Sequence, residues 1–116
     1  MEVKCIKNVV DAKSTTRLIN SNMKDYLTLG AIYEVYGIRC AVETIYYMIF
    51  DERHLIEVPS SFFEIVGNKV STNWVVRQID HEITFWPQLF YEENFLENFS
   101  EWETKERNQF DILRMQ

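Results

Sequence analysis

Val42-Glu43-Thr44-Ile45-Tyr46-Tyr47-Met48-Ile49-Phe50 is apolar or aromatic at almost every position, and Asp51-Glu52-Arg53-His54 closes it with a polar turn. A run this short, rich in β-branched and aromatic side chains, reads as a strand rather than a helix. Because it does not alternate with polar residues, it reads as a central strand covered on both faces. Its neighbours must therefore supply two apolar layers. Upstream, Leu27-Thr28-Leu29-Gly30 leads through a glycine turn into a strand over Ala31 to Ile38, with Tyr33 and Val35 on one face and Ile32, Glu34 and Tyr36 on the other. Val3 to Val10 alternates with high β-branched content and predicts a first strand, and residues 11 to 26, rich in Asp, Ser, Thr and Asn, read as a long excursion after it.

Downstream, Leu55 to Val58 returns as a short strand. Pro59-Ser60-Ser61 interrupts the ladder, since proline has no N–H to donate, and Phe62 to Val66 resumes it. Gly67-Asn68 marks a turn before a further strand, Trp74 to Ile79. Five or six short strands with little helix among them predict a small antiparallel barrel or sandwich. The pattern changes after Pro87. Leu89, Phe90, Phe95, Leu96, Phe99, Trp102, Phe110 and Leu113 recur at helical spacings with acids between them, which predicts amphipathic helix. Ser100 followed by Glu103 reads as a capping box, placing one helix near residues 88 to 98 and a second from Ser100. The expected class is α+β: a single domain of residues 1 to 116, with a β module to about residue 86 and one or two helices packed on it.

The chain has 116 residues, and its 8 Phe, 6 Tyr and 3 Trp against 3 Gly and 2 Pro exclude a disordered or collagen-like character. That length supports one core. No apolar run approaches the roughly 18 residues of a membrane span, and the first residues run into the alternating segment rather than a signal core, so the expectation is a soluble, cytoplasmic protein. Cys5 and Cys40 are too few for a disulfide framework or a zinc site.

Charge is distributed unevenly. Residues 1 to 79 carry nine acids and nine bases, whereas residues 80 to 116 carry nine acids and three bases, so the whole net charge of −6 resides in the last third. Such a face steers a basic partner toward it and repels a polyanion, which argues against direct nucleic-acid binding. Solvation of an acidic helix is the bland alternative.

Leu29-Gly30-x-x-Tyr33-x-Val35, then Tyr47-x-Ile49-x-Asp51, Pro59-x-x-x-Phe63-x-Ile65 and Trp74 resemble the SH3-like small-barrel pattern of many short bacterial and phage proteins, over about residues 3 to 79. The resemblance implies a small antiparallel SH3-like β-barrel. It also implies a use found among immunity proteins that neutralise cognate bacterial toxins in contact-dependent inhibition, where the toxin domain is commonly a basic nuclease. The 11 to 26 stretch lacks the acidic segment of peptide-binding SH3 domains, which argues against recognition of proline-rich ligands.

No pattern for catalysis stands out. Asp80-His81-Glu82, taken as extended, would place its carboxylates on one face and the imidazole on the other, and no His-Glu-x-x-His spacing occurs. Cys40 with His54 or His81 lacks any marker of an activated thiol, and Ser60 and Ser61 lack a Gly-x-Ser-x-Gly elbow. The expectation is a non-enzymatic protein without cofactor or metal. Its candidate partner-binding residues are Asp80, Glu82, Trp86, Tyr91, Glu92, Glu93, Glu97 and Glu101, with Glu93, Glu97 and Glu101 forming an i, i+4 row and a basic toxin domain as the partner. Trp86 and, more strongly, Trp102 also read as core. The alternative is a phage or mobile-element regulatory SH3-like module that binds a host protein or peptide through the 11 to 26 loop and the groove beside it.

Overall fold

The computed structural model describes residues 1–8 and 26–116. Its strands are β1 (Glu2–Cys5), β2 (Ile32–Cys40), β3 (Ile45–Phe50), β4 (Leu55–Pro59), β5 (Phe63–Gly67), β6 (Trp74–Ile79) and β7 (Glu82–Pro87), followed by helices α1 (Phe95–Ser100) and α2 (Thr104–Arg114). Short 3-10 turns at Ser60–Phe62 and Gln88–Tyr91 join β4 to β5 and β7 to α1. The class is α+β, a mostly antiparallel sheet followed by two C-terminal helices.

β3 is central and covered on both faces, as its composition requires. Tyr47 and Ile49 enter a core with Val3, Cys5, Leu27, Val35, Val58, Phe62 and Phe63, while Met48 enters a second core with Phe90, Phe95, Phe99 and Phe110. The strand is shorter than the sequence predicts: Val42 is 78% exposed in the turn before it. Each buried phenylalanine of the second core contributes about 1.5–3 kcal/mol, so the helices are held by ring burial rather than by their few helical hydrogen bonds.

β2 organises the rest. One edge pairs with β3, and the other pairs with β1 at Ile32–Glu34 and with β7 at Ile38–Cys40. A register shift between Val35 and Gly37 inserts one extra residue. Val35 and Ile38 therefore both face the first core, and Tyr36 packs on the second. The expected closed barrel does not form. The path β4-β3-β2-β1-β5 is open, with no ladder between β4 and β5, and the sheet instead continues outward through β7 and β6. Closure would need the outer edges of β4 and β5 to pair; the strand that is added pairs with β2 instead, β7 taking Ile38–Cys40 beyond the part that pairs with β1.

Several boundaries also move. β1 ends at Cys5: Ile6, Lys7 and Asn8, expected to continue the strand, leave the ladder, Ile6 N donating to Phe62 O, and residues 9 and 10, like the 11 to 26 excursion up to residue 25, lie outside the described residues. Gly30 makes the anticipated turn at φ 81°, donating its N–H to the Cys5 carbonyl. Asp80-His81 is a two-residue hairpin turn between β6 and β7 with Asp80 at φ 55°, not an extended segment with its carboxylates on one face. Instead of one helix near 88 to 98 there is a 3-10 turn and, after Asn94 at φ 62°, the six-residue α1. Among the described residues no helix is long and apolar enough to cross a membrane.

Candidate functional site

The C-terminal third is built around a sharp reversal between α1 and α2. Glu103 N donates to Asn98 O and Trp102 N to Phe99 O, the paired bonds of a Schellman cap, with Trp102 at φ 63° where glycine is usual. Arg107 makes that tolerable. Its guanidinium lies 3.7 Å from the ring centroids of both Phe99 and Trp102 and donates to Phe99 O through two nitrogens and to Arg53 O at 2.7 Å. Burial lowers the Arg107 pKa from its ordinary value. Trp102 is 51% exposed, so the expectation that it is core is corrected: its ring forms a lid over the guanidinium.

The expected capping box is also corrected. Ser100 is the last residue of α1 and its hydroxyl donates back to Glu97 O, while Glu103 precedes α2 without a side-chain cap. The acids do not form one helical row, because Glu93 precedes α1 and Glu101 is its C-cap. They nevertheless share a stretch of surface. Glu92, Glu93, Glu97, Glu101 and Glu103 are all exposed, and none is within ion-pair distance of a base among the described residues. The rings of the same stretch, Phe95 and Phe99, are 2% exposed. Glu103 was read in the sequence only as part of a capping box and not as a partner-binding residue, although its place in the same acidic run was a usable signal.

The other candidates lie elsewhere. Asp80 is exposed at the tip of the β6–β7 hairpin, and Glu92 lies beyond the opposite end of β7, a strand's length of about 20 Å away. Glu82 accepts from Arg39 Nη1 at 2.9 Å, while Arg39 Nε holds Glu57 at 2.8 Å and the guanidinium rests 4.4 Å from the Tyr46 ring centroid. This node escaped the sequence reading, although a lone arginine beside an apolar run was a signal for it. Trp86 packs against the second core, and its buried Nε1 has no hydrogen-bond partner among the described residues. The Tyr91 hydroxyl donates to Val75 O at 2.9 Å and contacts Thr84 Oγ1, and Arg77 stacks on its ring at 4.2 Å. Both rings tie the β6–β7 hairpin to the turn before α1. Glu106 is buried and accepts from Asn98 Nδ2 at 3.4 Å, an exception to the outward placement of the carboxylates.

Cys5 is buried, its thiol donating to Lys7 O, and burial raises its pKa, the reverse of an activated nucleophile. His54 sits beside Asp51, its Nδ1 3.3 Å from Asp51 Oδ2. Among the described residues no three His, Cys, Asp or Glu side chains converge as a metal site would require. No protein-family model matches the chain, and neither a curated protein nor a solved structure is found to be similar to it.

Proposed function

We propose that this chain is a cytoplasmic immunity protein that binds a basic bacterial toxin domain, a nuclease, and neutralises it through the acidic surface of its C-terminal third, without catalysis of its own. The observation that carries this reading is the run of five exposed glutamates between Glu92 and Glu103 with no ion pair to a described residue. The bases of that third do little to offset them. Arg107 is held between two rings, Arg114 lies toward Glu52 and Asp111 over the Phe50 ring, and Lys105 is exposed with no ion pair to a described residue. Carboxylates held on a fixed scaffold raise the encounter rate with a cationic surface and can either occupy a phosphate-binding site or block its approach. The strand path bent at the β2 bulge around the first core supports kinship with SH3-like small barrels, the β6–β7 hairpin being an addition.

The test pairs the purified protein with the basic C-terminal domain encoded by an adjacent open reading frame and measures association by stopped flow at two salt concentrations. Reversing Glu93 and Glu97 to lysine takes the net charge from −6 to −2, since each reversal adds two. The expected result is a fall in the low-salt association rate of about tenfold and a flatter salt dependence. An unchanged rate, or a neighbouring gene that encodes no basic domain, refutes the proposal.

A further inference from the structure

A cleft of about 410 Å³ runs between β4 and α1, lined by Tyr26, Met48, Leu55, Ile56, Leu96 and Phe99, with Glu57, His54 and Ser100 at its polar margin. Its size lies within the roughly 300–1,000 Å³ range of sites that hold a small ligand. Three consecutive β4 residues, Leu55, Ile56 and Glu57, line it. Successive side chains of a strand point to opposite faces, so a wall made of three in a row is the backbone edge itself. Among the described residues no strand lies beside that edge, and β4 pairs with β3 alone.

The hydrogen-bond pattern fixes which groups are free. Asp51 N donates to His54 O at 3.2 Å, closing the β3–β4 hairpin in the same register that pairs Ile49 with Ile56 and Tyr47 with Val58. Antiparallel ladders alternate, so the amides of Ile56 and Val58 face β3, while those of Leu55 and Glu57 face outward. Two outward N–H groups about 6.6–6.8 Å apart match the spacing of alternate carbonyls in an extended chain.

Charge selects the occupant. Glu57 lines the cleft, and its second carboxylate oxygen, the one not held by Arg39, makes no hydrogen bond to a described residue. On α1, Glu97 lies about 60° around the helix from the cleft-lining Ser100. We infer that the β4 edge receives an extended, lysine- or arginine-bearing segment of the partner, which adds a strand to the sheet beneath α1 and sets an apolar side chain on Met48, Leu96 and Phe99. This rests on the proposed acidic docking face and names the place where the cationic partner is gripped once it has been steered there.

The test uses the full chain and a synthetic probe, acetyl-Lys-Val-Leu-Val-Lys-amide, followed by backbone amide NMR and hydrogen exchange. In the free protein the Leu55 and Glu57 amides should exchange at least tenfold faster than those of Ile56 and Val58. On adding the peptide, shifts should concentrate at residues 55–58 and 96–100, with the two fast amides becoming protected. N-methylation of the peptide backbone, or a Ser100→Trp substitution that fills the cleft from its exposed rim, should weaken binding by tenfold or more. Shifts confined to Glu92–Glu103 and unaffected by N-methylation overturn the strand addition while leaving the acidic face standing. No shift at β4 at any peptide concentration overturns it as well, and the toxin association rate then judges the acidic face alone.

Discussion

Gly37 to alanine is the most direct test of the packing that joins the sheet to the helices. A Cβ built at Gly37 would lie 2.5 Å from Trp86 Cδ1, 3.2 Å from Trp86 Nε1 and 3.3 Å from the Phe85 carbonyl oxygen. Carbon atoms pack best at about 3.5–4.0 Å, so the indole must retreat by roughly 1 Å. It has little room, being packed at a tilt against Tyr91 at 5.2 Å and edge-on against Phe90 at 6.5 Å between ring centroids. Gly37 does not adopt a left-handed φ, so backbone strain plays no part, and at a position free of the clash alanine would stabilise a strand by about 0.4–1 kcal/mol. Overpacking reverses the sign, and the expected cost is about 2–3 kcal/mol. For a chain of this size each kcal/mol is roughly 3–6 °C in Tm, so calorimetry should show a drop on the order of 10 °C, with a matching shift of the urea midpoint. The control is Trp86→Leu, which also removes the orphaned Nε1: in that background Gly37→Ala should be nearly neutral. A Gly37→Ala protein as stable as the parent, or an equal loss with and without the indole, would refute the close approach of Trp86 to β2.

Two further outcomes are expected. Arg107→Lys should cost about 1–3 kcal/mol in urea unfolding, because an ammonium cannot lie flat between Phe99 and Trp102 while donating to both Phe99 O and Arg53 O; a loss below 0.5 kcal/mol would show that the reversal does not depend on the guanidinium. Burial raises the pKa of Cys5 above its ordinary 9.0 and those of Tyr36 and Tyr47 above 10.0. The folded chain therefore keeps these protons to higher pH than the unfolded chain does. Their contribution is intact below the ordinary values and is lost as pH rises through the folded ones, first for the thiol and then for the phenols. Urea midpoints should thus decline from about pH 9 upward, and a midpoint rising over that range would contradict the burial of these groups.

What could be read in the residues is what burial alone decides. The unbroken apolar run of β3 required two covered faces, and the ring spacing after Pro87 required a helical layer to cover one of them; both are present. The failures are long-range. β7 was not anticipated because Glu82 to Pro87 gains its strand character from pairing with β2 and β6, and the open path ends at β4 and β5, whose failure to pair has no local signal. Ser100 and Glu103 have the spacing of a capping box, yet a chain reversal falls between them, leaving Ser100 at the C-terminal end of α1 and Glu103 just before α2, with Arg107 packed on the turn. The charge split of the last third was plain, but which acids stay exposed depended on partners 43 residues away, as Arg39 does for Glu82. The β4 cleft had no local signal, since its two walls meet only in the folded chain.

The exposed acids and the buried rings are interleaved along one segment, so the two answer to different constraints. Exchanging a solvent-facing glutamate between residues 92 and 103 disturbs no buried atom and should alter folding by no more than about 0.5 kcal/mol, whereas the phenylalanines between them cannot vary without loss of the core. The outward lettering of this segment is thereby free to drift. If the proposed function holds, a lineage could retune its partner one carboxylate at a time on an unchanged frame.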